Sequence, residues 1–318
     1  MVRALLLALA VVTGAAWAQA FPSKTVRIVI PFPPGGTSDI LARTLAQKLT
    51  EEWGQQVIAE NRPGASGNVA CEYVAKQKGD LHVLLINTVG THAINPAIYP
   101  SLPFDPLKDF TLITNLVNLP TLLIVHPSVH AQTAQELIAL AKSKPGALKY
   151  SSAGSGSQPH LTAEIFKSMA GVDLLHVPYK GAGPQLLAVI SGEVDVTFAT
   201  APAAVPLVKN KQARALAFTS EQRVSALPDV PTLHEAALPG YVAVGWNGLV
   251  APAGIPKSAL EKIHSAVAKI YQMPDMRERL MSLAAEPAIS TPEEFTSLVK
   301  SELVKWAKAV KDSGAKLE

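Results

Sequence analysis

Two α/β lobes of similar build are what this 318-residue sequence predicts. Three observations point there. β-branched runs alternate with helical stretches along most of the chain, the order of elements that parallel α/β sheets require. A strand, a glycine-rich loop and a helix follow one another twice, near Pro31–Asp39 and near Ser152–Leu161. Proline and glycine cluster around strand-like segments at Leu119–Thr121 and Ala243–Gly248, where the chain can cross between lobes. The expected organisation is a first lobe made of residues 21–120 plus 246–318, with residues 121–245 inserted as a second lobe.

Composition agrees with a globular chain and excludes several classes. Hydrophobic residues make up 48% and charged residues 17%, far from the balance of a disordered chain. The 28 basic and 25 acidic side chains leave a formal charge of +3, and no basic tract or aromatic stripe speaks for nucleic acid. Arg3, the apolar run Ala4–Val12 and the small residues up to Ala18 or Ala20 form a charged, apolar and cleavable series, so residues 1–20 read as a signal peptide. No later stretch is long and apolar enough to span a bilayer. The expected mature protein is therefore soluble and periplasmic. The single cysteine, Cys71, cannot form an intrachain disulfide and lies too far along the chain to be a lipid-bearing first residue. It reads as a small buried residue.

Lys24–Ile30 alternates and is rich in Val, Ile and Thr, which predicts a strand. Pro31–Gly36 must be a loop, and Ile40, Leu41, Leu45 and Leu49 then follow helical spacing, with Thr37, Ser38 or Asp39 as the cap. A strand over Gln56–Glu60, the loop Asn61–Gly67 and a helix over Val69–Lys76 come next. Strands are predicted at His82–Ile86, Leu122–Val125, Leu148–Ser152, Val194–Phe198 and Ala213–Phe218. Helices are predicted from Thr133 to Ala141, from Pro159 to Met169, and across the last third at Lys257–Tyr271, Asp275–Ala284 and Pro292–Asp312.

Four loops offer chemistry. Pro33–Asp39 follows a strand and opens a helix, so its free amides can bind an anion; a plain tight turn is the other reading. It matches neither the phosphate loop nor the dinucleotide fingerprint. Ser151–Ser157, with His160 beyond it, gathers hydroxyls and amides before another helix. A serine nucleophile with a histidine base is conceivable there, but the Gly-x-Ser-x-Gly elbow is absent. Gly90–Asn95 can add the Thr91 hydroxyl and amides to the same cleft; His92 as a metal ligand has no companion at ligand spacing. In His176–Gly181, Tyr179 can close over a ligand and Lys180 can supply charge, or both can belong to an ordinary strand end. The loops hold amides and hydroxyls but no acid–base pair, which favours binding over catalysis. No cofactor is called for.

Several of these stretches carry a resemblance. Val29–Gly36, Glu60–Ala65, Gly90–Pro96, Val177–Gly181, Leu227–Thr232 and Ala251–Gly254, in that order, resemble the receptors of tripartite tricarboxylate transporters, the Bug-type family. The resemblance runs over essentially the whole chain beyond the signal. It implies a type II-like periplasmic binding protein fold, two α/β domains joined by a hinge with the ligand cleft between them. It also implies that a small carboxylate is held by Phe32, Pro34, Gly35, Gly36, Thr37 and Ser38 of the first lobe. Gly90, Thr91, His92, Ser152, Ala153, Gly156, Ser157, His160, Tyr179, Ala199 and Thr200 complete the implied set. The implied partners are the membrane permease subunits of such a transporter, met by a monomeric receptor with no enzymatic activity. A sensor subunit serving a membrane kinase, and a secreted Ser/His hydrolase, are the competing readings. Relatives often carry Asp after the residue matching Phe198; here Ala199 and Thr200 stand there. That departure implies a carboxylate without an amino group.

Overall fold

The computed structural model describes residues 21–282 and 284–313; the expected signal segment lies outside them. Among the described residues, eleven strands form two sheets. The first sheet contains β1 (Val26–Ile30), β2 (Val57–Asn61), β3 (Val83–Thr88) and β4 (Phe110–Leu119). The second contains β5 (Thr121–Val125), β6 (Lys149–Ser152), β7 (Leu175–Pro178), β8 (Val196–Thr200) and β9 (Arg214–Phe218). The chain then returns to the first sheet with β10 (Gly245–Pro252) and β11 (Glu286–Pro287). The orders are β11-β4-β10-β3-β1-β2 and β7-β6-β8-β5-β9.

The helices are α1 (Thr37–Trp53), α2 (Asn68–Ala75), α3 (Asn95–Ile98), α4 (Ala134–Ser143), α5 (Gln158–Ala170) and α6 (Ala182–Ile190). They continue with α7 (Ala201–Lys209), α8 (Leu233–Ala236), α9 (Lys257–Gln272), α10 (Pro274–Ser282) and α11 (Pro292–Ser313). No helix among the described residues is long and apolar enough to cross a membrane.

Both sheets are mixed, which corrects the expectation of parallel ones. β2 and β3 run parallel to β1, and β7 and β8 run parallel to β6. β4, β10 and β11 pair antiparallel, as does β5 with both of its neighbours. The reason is connectivity. A parallel pair needs a helical crossover to bring the chain back. Between β4 and β5 stands only Pro120, and β10 arrives straight from the second lobe. The strands that join the lobes are therefore free to run the other way.

Each lobe has its own apolar core. Val26, Ile28, Ile30, Leu41, Leu45 and Leu49 pack with α9 residues Ile263, Val267 and Ile270 in the first. Leu123, Val125, Tyr150, Phe166, Phe198 and Tyr241 pack in the second. The cores are not insulated from each other. Leu161 of α5 belongs to a cluster with Trp246, Val250 and Phe295 of the first lobe. Cys71 is fully buried beside Val29 and Val74, and burial pushes its thiol up to about 12, so it is unreactive at neutral pH.

Thr219 ties the two crossing segments together and is fully buried. Its hydroxyl accepts the Thr121 amide at 3.0 Å and donates to the Ala243 carbonyl at 2.7 Å. Its own amide donates to the Thr121 carbonyl, and the Ala243 amide donates to its carbonyl, both at 2.9 Å.

Among the described residues, four helices escape the sequence pattern: the four-residue α3 and α8, and the longer α6 and α7. α6 and α7 contain Pro184, Pro202 and Pro206, which read as breakers. Pro184 and Pro202 sit in first turns, where the missing N–H has no intrahelical partner to lose.

Candidate functional site

A cavity of about 320 Å³ lies between the lobes, within the size range of small-molecule sites. Its first-lobe wall is Phe32–Ser38 together with Ser66, Thr88–Gly90 and Asn95. Its second-lobe wall is Ala153, Gly156–Pro159, Lys180–Pro184 and Thr200. Leu119 and Gly245–Asn247, from the crossing strands, close one end.

The loop after β1 is shaped by one carboxylate. Gly35 has φ +88°, a conformation a side chain resists, and its amide donates to Asp39 Oδ2 at 3.0 Å. Asp39 also accepts from Arg43 Nε at 3.0 Å and from Asn61 Nδ2 at 2.9 Å. Asn61 Nδ2 reaches the Phe32 carbonyl at 3.0 Å, so the strand end and the helix start share one clamp. Burial alone would raise the Asp39 carboxyl, but the hydrogen bonds from Arg43, Gly35 and Asn61 hold it below its ordinary value. The α1 cap is accordingly not Thr37, Ser38 or Asp39. Gly36 holds the cap position without a side-chain bond, and Asp39 reaches back to Gly35. Asn247 Nδ2 donates to Ser38 Oγ at 2.9 Å, fixing this wall to β10. The first two amides of α1, Thr37 and Ser38, have no carbonyl within the helix to bond.

The second-lobe loop rests on rings instead. His160 Nδ1 accepts the Gly156 amide at 3.0 Å. The His160 ring stacks on His176 at 4.1 Å between centroids, and His176 on Tyr150 at 4.8 Å. Ser152 Oγ is hydrogen-bonded to His176 Nε2 at 2.7 Å and accepts the Gly154 amide at 3.2 Å. Ser157 caps α5 by accepting the His160 amide.

Four helix starts meet at the cavity. Gly36, Ser157, Gly181 and Thr200 are the cap residues of α1, α5, α6 and α7, and all four line it. Among the described residues, Lys180 is the one charged side chain in the wall, and no carboxylate is there. The lobes touch across the cleft. Thr37 Oγ1 and Thr200 Oγ1 lie 3.2 Å apart, and Ser66 Oγ approaches the Ser155 carbonyl at 3.5 Å.

Of the residues expected from the sequence, Phe32, Pro34, Gly35, Gly36, Thr37, Ser38, Gly90, Ala153, Gly156, Ser157 and Thr200 line the cavity. Thr91, His92, Ser152, His160, Tyr179 and Ala199 do not, and each has a physical reason. The Thr91 hydroxyl accepts the Thr88 amide at 3.0 Å, shaping the turn from behind. His92 is fully buried against Phe110 and Phe104, and burial pulls its ring down to about 3. Ser152 and His160 face the ring stack. With Nδ1 on the Gly156 amide, that nitrogen of His160 is not available as a base for a serine. Tyr179 packs with Val177 and Leu186, and Ala199 with Ala188 and Val189, in the second lobe's other core cluster. Successive residues of a strand face opposite sides, so Thr200 reaches the cleft where Ala199 turns inward.

The residues missed by sequence reasoning include Gln158, Leu119 and Gly245–Asn247. Leu119 and Gly245–Asn247 arrive on the crossing strands, stretches the sequence marks as crossings and not as cavity wall, and Gln158 opens α5. Ser66 does sit in a loop whose proline and glycines were visible.

Two mixed sheets flanked by helices, two crossings and an interior cavity fed by helix starts define a two-lobed solute-binding protein. The comparisons with known proteins name its family. Residues 41–315 match the model of the tripartite tricarboxylate transporter family receptor, and the chain belongs to that family. It is 37% identical over 308 residues to the UPF0065 protein in the tcbD-tcbE intergenic region of Pseudomonas sp. strain P51, covering 96% of this chain and 91% of that one. Protein BugT of Bordetella pertussis is 31% identical over 302 residues, 95% of this chain and 93% of its own. Among solved structures, Rpa4515 of R. palustris with adipate superposes with a TM-score of 0.90 at 36% identity, covering 94% of this chain and all of that one. MatC of Rhodopseudomonas palustris with bound malate gives 0.84 at 33% identity, with 91% of this chain and 100% of that one covered. The family is one of receptors, and solute binding is its activity.

Proposed function

We propose that this protein captures a small carboxylate lacking an amino group in the cleft between its lobes and presents it to the membrane subunits of a tripartite tricarboxylate-type transporter. It would act as an exported, freely diffusing periplasmic monomer. Residues 121–245 would form the moving lobe, and the crossings at Leu119–Thr121 and Ala243–Gly248 the hinge.

One observation supports this above the others: four helix starts converge on a cavity whose described wall holds no carboxylate. Each helix start acts as roughly half a positive charge, and at α1 the first two amides, Thr37 and Ser38, have no partner within the helix. A carboxylate entering there exchanges water for fixed donors and meets no repulsion. A ligand ammonium would find no counter-ion, since Ala199 is turned into the core and Thr200 is neutral. Phe32, Pro33, Val89, Leu119 and Trp246 suit a short hydrocarbon spine. The adipate and malate held by two structural relatives agree with that choice. Closure would be favoured to the extent that the ligand makes contacts with both walls that it cannot make in the open state.

The test is a thermal-shift and calorimetric series with adipate, succinate, malate, aspartate and glutamate. The plain diacids should raise the melting temperature and the amino acids should not, because a ligand bound only to the folded state stabilises it. Binding of aspartate or glutamate with none of the plain acids would overturn the reading.

A further inference from the structure

Gln158 opens α5 at the hinge end of the cavity and is only 8% exposed. Its Nε2 donates to Thr121 Oγ1 at 2.7 Å and to Thr162 Oγ1 at 3.3 Å, which occupies both hydrogens of the amide. The same amide lies flat on Gly245, where an added Cβ would stand 3.3 Å from the amide carbon. Gln158 is thereby held between the two crossing segments, Thr121 on one side and Gly245 on the other. The atom left for the cavity is Oε1, an acceptor with two lone pairs.

That acceptor stands among helix-start amides, hydroxyls, the Lys180 ammonium and the side-chain amides of Asn95 and Asn247. A carboxylate oxygen directed at it would be repelled. A neutral hydroxyl would satisfy it, and a site built to bond a hydroxyl discriminates strongly against the analogue lacking one. We infer that Gln158 reads a hydroxyl on the ligand, so that within the small carboxylates this receptor prefers hydroxy acids. The inference rests on the carboxylate reading above and deepens it.

Calorimetry on the full folded chain tests it with matched pairs: succinate against each enantiomer of malate, and adipate against 2- and 3-hydroxyadipate. At least one hydroxy acid should bind about tenfold or more tightly than its parent. In Gln158→Met, which keeps length but removes the acceptor, that ratio should fall to within about twofold, while the parent acid changes less than about threefold. Gln158→Glu keeps acceptor oxygens and adds repulsion, so it should weaken every acid yet preserve the ratio. Equal binding within the wild-type pairs, a parent acid that binds more tightly, or a ratio that survives in Gln158→Met would each overturn the inference and leave the carboxylate reading standing. If none of these acids binds the wild-type protein, the carboxylate reading itself fails and this inference with it.

Discussion

The two loops that face each other across the cleft have the same geometry and different foundations. Both leave a parallel strand, turn through glycines of positive φ (Gly35 at +88°, Gly154 at +125°, Gly156 at +77°) and feed a helix whose start lines the cavity. Beneath the first lies a charged clamp of Asp39, Arg43 and Asn61. Beneath the second lies a stack of His160, His176 and Tyr150. The contrast teaches that an anion site depends on where backbone amides point, and that quite different chemistry can hold them there. It also explains how a carboxylate can stand beside a helix start without entering the cavity wall: Asp39 is not among the lining residues, and its charge is met by Arg43.

The difference can be broken most directly at Asp39. Asp39→Ala removes bonds to Gly35, Arg43 and Asn61 at once. Losing a buried carboxylate with several charge-assisted bonds should destabilise the protein by about 2–4 kcal/mol. The same loss should cost about a hundredfold in carboxylate affinity, because the amides of Thr37 and Ser38 lose their fixed direction. Ser152→Ala in the other loop removes one ring bond and one amide bond, and should cost about 1 kcal/mol. Denaturant unfolding and calorimetry on both variants check the ranking. Equal losses would mean that the clamp is no more important than the stack.

How far the sequence foretold this site follows the same physics. β1 and α1 were legible because alternation and helical spacing are local, and the loop between them had to be irregular. The two glycine-rich turns were found for that reason. Which side chains of a turn face the ligand was not legible: Thr88 and Gly90 line the cavity, while Thr91 and His92, one or two positions on, turn into the core. β10 was missed because all eight of its residues are buried, so no polar face alternates with an apolar one. Gln158 and Gly245–Asn247 meet only because the chain returns across the hinge, a contact without a signature in any short window.

Acid sharpens the contrast, with a smaller effect. His92 lies beneath the first-lobe turn at Thr88–Thr91, and burial lowers its ring from 6.5 to about 3. The unfolded chain takes up a proton near 6.5 and the folded chain does not until about 3. Stability is therefore full above pH 6.5 and declines as pH falls towards about 3. The slope is about 1.4 kcal/mol per unit, or about 2 kcal/mol by pH 5. Asp39 loses stability in the same direction but in stronger acid: its lowered carboxyl contributes in full above the unfolded value of 3.8 and fails below it. His92→Phe, set among Phe104 and Phe110, should flatten the loss between pH 6.5 and 5, measured as melting temperature against pH. An unchanged profile would place the acid sensitivity in another group.

The smallest expected effect belongs to the bond between two side chains, Thr37 and Thr200, that joins the two walls. Thr37 Oγ1 and Thr200 Oγ1 are 3.2 Å apart, one at the start of α1 and the other capping α7. Both residues are partly exposed at the cavity, so the bond exchanges easily with water and is worth about 0.5–1 kcal/mol. It forms only when the lobes meet. Thr200→Val keeps the shape of the side chain and removes the hydroxyl, so the melting temperature without ligand should shift little. The ligand dissociation rate should rise about two- to fivefold, with association nearly unchanged, because encounter precedes closure. Thr37→Val should act alike, and the double variant should be no worse than either single one, since the two hydroxyls make a single bond. Additive losses in stopped-flow dissociation would mean that each hydroxyl holds the ligand itself and that the walls are joined through the ligand alone.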